Sequence, residues 1–341
     1  MTNDRLARRR TLTGVLMLPL FFLIALPGLF LGILHSPTPH EVMVAVIGAG
    51  PQAQAVANQL TAHAHGFEIR TISDADSGRT AVRDREVRGA YDPTTGDLYV
   101  ASAGGAQATQ AARALFAAVA QASGATLHVR DVVALPDADR LGTSTLYIGV
   151  GAIVGGFLSG LIVAMVAPGL RTRTQFFAVA AMSVVIAGIE TCYGWVVFDI
   201  FPGNAGAGAA TLAGIALVAG SVTLAGVRLI GPAMVMVSLL VLVLAGVTAS
   251  GLAVQLDMAP ALYSWLHEVL PTARGLSALR SVCYFDSEGT RSDLVVMAVW
   301  LVASVIVLTA TRKRAGTPGI AAFAEVEVDE AVVAGVASVS V

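Results

Sequence analysis

LYIGVGAIVGGFLSGLIVAMVAP (residues 146–168), QFFAVAAMSVVIAGIETCYGWVVFDIF (175–201), AATLAGIALVAGSVTLAGV (209–227) and AMVMVSLLVLVLAGVTASGL (233–252) follow one another almost without a break. Only Arg171 with Arg173, the loop 202–208, and Arg228 with Gly231-Pro232 interrupt them. Each stretch has about the 20 apolar residues that an α-helix needs to cross a bilayer core. Residues 143–256 therefore read as four membrane helices, the second to fifth of the chain. Composition points the same way: 55% of the 341 residues are hydrophobic and 13% charged, against roughly a quarter charged in soluble proteins.

Working outward, residues 1–10 carry Arg5, Arg8, Arg9 and Arg10, and no charge follows until after Leu34. A cleaved signal peptide has an apolar run of about 7–15 residues; residues 11–34 exceed it and read as an uncleaved first membrane helix, kinked at Pro19 and Pro27. From 35 to 142 charges return and short elements alternate. Strands are expected at 42–48, 67–72, 87–91, 97–101 and 126–133, and helices at 51–64, 76–85 and 106–122. That is an α/β domain of about a hundred residues, large enough for its own core.

Beyond the apolar block, Leu262, Trp265, Leu266 and Val269 fall at i, i+3, i+4 and i+7, which predicts an amphipathic helix over 260–270 ended by Pro271. A second short helix over 273–282 carries Leu276 and Leu279 on one side, with Arg274 and Arg280 available to the other. Residues 257–292 are thus expected to form a helical hairpin that lies in the outer membrane interface or dips part way into it, with Trp265, Leu266, Pro271 and Arg280 as its marker residues. The last span is expected at 293–311, and 312–341 is expected to be a cytoplasmic tail, acidic in its middle and disordered. The fold class is an α-helical membrane protein: six transmembrane helices with an extracytoplasmic α/β domain inserted between helices 1 and 2. Arg5 to Arg10, Arg171 with Arg173, Arg228 and Arg312 to Arg314 then all fall on the cytoplasmic side, as the positive-inside rule requires. Both termini are cytoplasmic, and the protein is multi-pass in the cell membrane.

Soluble-style chemistry is sparse. Gly48-Ala49-Gly50-Pro51-Gln52-Ala53 follows a strand and opens a helix, and Asp74 stands where a dinucleotide-binding acid would. The simpler reading is a tight turn with Pro51 at the first helical position, which suits a domain outside the cytoplasm. The histidines have no metal-ligand spacing, and Pro271 stands where a zinc helix beginning at His267-Glu268 needs its second histidine. The only lysine, Lys313, is not in a Walker A run. No cofactor, metal or catalytic constellation is expected, and a net charge of −2 gives no basic surface for nucleic acid. Cys192 and Cys283 read as unpaired thiols or as one disulfide. Glu190 is the acid within a span: either it lines a pathway and couples to protons, or it makes a structural hydrogen bond to Thr191, Tyr193 or a neighbouring helix. Gly151-x-x-x-Gly155 and Gly156-x-x-x-Gly160 predict close helix contacts with an unspecified partner.

Several stretches carry a family likeness: Pro39-His40-Glu41-Val42, the run from Arg83 to Tyr91, the exit segment 131–139 with Leu135-Pro136, and Ala249-Ser250-Gly251. Most specific is 260–285, with Trp265-Leu266, Leu270-Pro271, Ala278-Leu279-Arg280 and Tyr284-Phe285. In this combination the chain resembles the ABC-2 type transporter permease family, in its branch with a large extracytoplasmic loop related to phage-infection-protein-like membrane proteins. The resemblance implies an exporter half that pairs with a second copy (a homodimer) or with a paralogue. It also implies a separate ABC ATPase subunit docking on the cytoplasmic side, where the turn 169–174 with Arg171 and Arg173 would help to meet it. The alternative is an ATPase-independent envelope scaffold or surface receptor whose α/β domain binds a protein or phage partner.

Overall fold

A computed structural model of the chain describes residues 19–35 and 38–311. The expectations for 1–10, for the start of the anchor at 11–18 and for the tail at 312–341 lie outside the described residues. The fold is mostly helical, with one small sheet. Among the described residues, four helical stretches are long and apolar enough to cross a membrane: Ser144–Val166, Thr172–Val197, Ala205–Thr248 and Thr290–Ala310. The chain is a multi-pass membrane protein by that measure.

Helix α1 (Pro19–Leu34) runs unbroken through Pro27. It docks where Tyr263 Oη donates to the Leu29 carbonyl at 2.7 Å. Then come β1 (Val42–Ile47), α2 (Pro51–His63), β2 (Phe67–Ile72), α3 (Ala75–Arg83), β3 (Gly89–Tyr91), β4 (Asp97–Val100), α4 (Ala106–Ala122) and β5 (His128–Asp131). The sheet order is β2-β1-β3-β4-β5, with only the β3–β4 pair antiparallel. β1 reads VMVAVI because both its faces are covered, as a central parallel strand requires. Val42, Val44 and Val46 pack with α2 and α4 through Ala57, Leu60, Ala112 and Phe116. Ala45 and Ile47 pack with Ala81 and Val82 of α3.

Asp74 caps α3, its carboxylate accepting from the Ser77 amide at 2.8 Å and from the hydroxyls of Ser73 and Ser77. Those hydrogen bonds hold its pKa down at about 2. The acid beside the glycine-rich turn is thus engaged as a helix cap, and Pro51 takes the first turn of α2.

Helix α5 (Ser144–Val166) starts where the buried Asp139 carboxylate accepts from the amides of Thr143 and Ser144. α6 (Thr172–Thr191) continues as a π-helical turn over Cys192–Val197, and α7 (Ala205–Ile230) follows. The glycine spacing of α5 finds its partner in α7. A Cβ on Gly156 would lie 2.2 Å from the Ala216 carbonyl oxygen, and one on Gly160 would lie 2.1 Å from that of Gly220. Only a bare Cα lets the two backbones approach that closely.

The 44-residue stretch Ala205–Thr248 is not one rod. At Gly231 φ is +63°, a left-handed value open to glycine, and Pro232 follows. Beyond it lie α8 (Met234–Ser238), a π-helical segment Leu239–Ala245 and α9 (Gly246–Thr248). Thr223 and Ser238 hydroxyls meet at 3.1 Å, whereas fifteen residues of straight helix would hold them about 22 Å apart. The chain therefore doubles back at Gly231. The helix predicted over 233–252 stops at Thr248, and the buried turn Ala249-Ser250-Gly251 leads away from it.

α10 (Ala261–Val269), α11 (Pro271–Tyr284) and α12 (Thr290–Ala310) complete the described chain. Arg228 joins α7, α6 and α12 at one end of the bundle, donating to Thr172 Oγ1 (3.0 Å), to the Leu308 carbonyl (3.2 Å) and to Gln175 Oε1. The sheet sits at the other end.

Candidate functional site

The polar chemistry of this molecule collects where the sheet meets α10 and α11. α11 begins with Pro271 in its first turn and buries twelve of its fourteen residues. Leu276 fills the space left by Gly149 of α5, and Gly275 admits Ile215 of α7. The Thr272 hydroxyl donates to the Leu242 carbonyl at 2.8 Å. This corrects the expectation that the second helix of the hairpin leaves Arg274 and Arg280 on a free side: both side chains are covered. Leu276 and Leu279 do point into the bundle, but the rest of α11 is enclosed by α12, by the Leu239–Thr248 segment and by the loops at Gly104 and Gly251, so Pro271 and Arg280 are buried as well. α10 alone keeps an apolar outer face, with Leu262 and Trp265 exposed, Leu266 half-buried, and Tyr263 and His267 turned inward.

Arg280 has no carboxylate within ion-pair reach. It donates to the carbonyls of Gly104, before α4, and Gly251, after α9, at 3.3 and 2.8 Å. Burial, then the charges of Arg85 and Arg88, push its pKa down to about 9, so it remains a cation at neutral pH. Arg85 sits just after α3 with φ +62°, a left-handed position unusual for a side chain of this size. It crosses to the bundle, donating to Ser281 Oγ (2.8 Å) and the Glu288 carbonyl (2.9 Å) and stacking over Phe285 at 4.7 Å. Arg88 pairs with Asp257 at 2.6 Å. The Tyr284 hydroxyl donates to Asp139 at 2.8 Å, which ties the end of α11 to the start of α5; burial and that carboxylate drive the tyrosine pKa upward.

A second cluster lies one face away. Arg274 bonds Asp293 of α12 at 3.0 Å and also Glu268 of α10. His267 Nδ1 lies 2.9 Å from the Ala249 carbonyl, and burial, reinforced by Arg274, lowers its pKa. Together these contacts link the α/β domain to the helix carrying Arg280 through charge-assisted bonds, which are among the stronger that side chains make. The arrangement suits mechanical coupling; among the described residues it brings no nucleophile and base together, and no group of acids, cysteines and histidines is placed to hold a metal.

The remaining sequence-predicted residues lie elsewhere. Arg171 and Arg173 are exposed where α5 turns into α6, at the Arg228 end of the bundle. Glu190 is half-buried on α6 and presses on Gly151, where a Cβ would lie 2.1 Å from its Oε1. Neither suggested hydrogen bond forms: Thr191 Oγ1 is buried without a partner and Tyr193 stacks on Phe198. Cys192 is exposed, Cys283 is buried, and both are free thiols. Sequence alone assigns no role to Arg85, Arg88, Asp139, Gln255, Asp257 or Asp293, although the first three fall in stretches that carry the family likeness. The density of charge from Arg83 to Arg88 was the one available pointer to them. Comparison of the chain with protein families, curated proteins and solved structures finds no match.

Proposed function

We propose that this chain is the membrane-spanning subunit of an ABC-2-like exporter, moving a substrate across the cell membrane with a separate ATPase subunit. In this reading α1, α5, α6, α7, the α8–α9 rod and α12 are the six crossings, and the Arg228 end faces the cytoplasm. The observation that carries it is α11: a helix of only 14 residues, too short to cross, enclosed by α5, α7 and α12 and bonded to the α/β domain through its loops at Arg85 and Gly104. A buried helix of that kind, entered through a proline break, is suited to gate a path between outside and bundle interior. The exposed Arg171 and Arg173 turn offers the opposite end a surface for the ATPase, and the exposed faces of α6 and α12 suit lipid or a second copy. Glu190, unpartnered beside Gly151, is the acid we assign to the pathway.

Solubilisation of native membranes in mild detergent is expected to recover a P-loop ATPase with the chain; recovery of none counts against the exporter. One observation favours the scaffold reading: β5, at the sheet edge, is exposed along its whole length, and an open edge can accept a partner strand. That reading expects the anchored sheet domain to bind its partner without the helix bundle.

A further inference from the structure

We propose that the seam between sheet and bundle holds a single small anion of halide size, bound between Arg85, Arg88, the amide of Gln255 and the N-terminal turn of α4. A small cavity lies here, lined by Val82, Arg85, Arg88, Gly104, Gly105 and Thr109 among others, with about 10 Å³ for the centre of a water-sized sphere. That room suits one water or one monatomic ion and excludes phosphate or sulfate.

Three features give the cavity its sign. Arg85, Arg88 and Arg280 converge on the seam, and of the described carboxylates only that of Asp257 bonds to any of the three; Asp84 and Asp293 act on Arg85 from farther off. Gly105 caps α4 with no side chain of its own, so the positive end of a 17-residue helix opens onto the lining. Finally, Gln255 is 1% exposed. Its Oε1 accepts from the Ala108 amide at 3.2 Å, while its Nε2 lies over Gly105, where a Cβ would come within 1.3 Å of it, and has no hydrogen-bond partner. A buried amide donor is rarely left unmet, and here it lies against Gly105, one of the residues that line the cavity together with Arg85 and Arg88. An anion accepts from that donor and offsets the surplus positive charge together. A water would do only the first.

The test needs no transport assay, so it stands or falls apart from the exporter reading. Melting of the full-length protein in detergent is followed as chloride replaces gluconate at constant ionic strength. A saturable rise of about 2–4 °C is expected. Gln255→Glu keeps the acceptor for Ala108 and places a fixed carboxylate oxygen where Nε2 was; it is expected to abolish the chloride response and to melt above the wild type in gluconate. Arg79→Gln, outside the cavity, is expected to keep the response. Crystals of the unaltered protein grown in bromide should show anomalous density between Arg85 and Gly105, which holds the idea to account even if the variant fails to fold. Wild-type melting indifferent to chloride, a full response in Gln255→Glu, or an empty bromide map would each overturn it.

Discussion

Arg88 Nε and Asp257 Oδ2 lie 2.6 Å apart although 169 residues separate them in the chain, and both side chains are at most a quarter exposed. The pair fastens the strand side of the α/β domain to the entry of the α10–α11 hairpin. Asp257→Asn removes the charge and strands a partly buried guanidinium, so a loss of about 2 kcal/mol is expected. A double-mutant cycle with Arg88→Met should return about 1 kcal/mol or more of coupling. Strictly additive losses in thermal melting would show that the pair contributes nothing.

His267 supplies the pH dependence. Its folded pKa lies below the ordinary 6.5 because burial and Arg274 disfavour the cation. Below 6.5 the unfolded chain therefore binds a proton that the folded one refuses, and stability rises with pH through that window, reaching its full value above 6.5. Melting temperature should climb between about pH 5 and 7, and His267→Gln should flatten part of the climb. An unchanged slope in the variant would refute the assignment.

Gly156 and Gly160 separate a steric role from a conformational one. A methyl at either would press on an α7 carbonyl, so Gly156→Ala or Gly160→Ala should each cost about 1–3 kcal/mol. Gly188 of α6 has nothing within 4 Å of the same position, and Gly188→Ala is expected to be neutral or mildly stabilising. Equal melting losses at all three sites would contradict the α5–α7 contact.

Glu190→Gln removes a carboxylate that forms no hydrogen bond here, so melting should be unchanged or improved. A clear loss of stability would point instead to a structural bond that the described contacts lack. Transport by the variant, with its pH profile, reads out the pathway role.

Sidedness can be checked by labelling Arg79→Cys, an exposed position on α3, in intact cells. Reaction with an impermeant thiol reagent is expected, and protection until the membrane is breached would reverse the orientation. Cys283 is a poor reporter because it is buried.

Much of this architecture was legible because local patterns and burial agree. β2 falls at 67–72 and α4 at 106–122, as their flanking turns indicate, and the glycine spacing of α5 announced a close contact. The partner in that contact, α7, could not be read, since spacing names only one surface of the pair. α11 misled for a related reason: an arginine opposite two leucines looks like a wetted face, and a periodicity cannot know that two distant loops, at Gly104 and Gly251, will cover it. The seam depends on pairings over 100 residues or more, such as Arg85 with Ser281 and Arg280 with Gly104, and these leave no local trace. The π-helical turns at Cys192–Val197 and Leu239–Ala245 were likewise invisible to a pattern tuned to 3.6 residues.

Arg280 grips two loops that belong to different parts of the chain, Gly104 above and Gly251 beside it. One turn of α11 therefore cannot slide inward without breaking these bonds or drawing both loops with it. Whatever seizes the sheet from outside, whether an antibody fragment or a natural ligand, acquires a handle on helices it never touches.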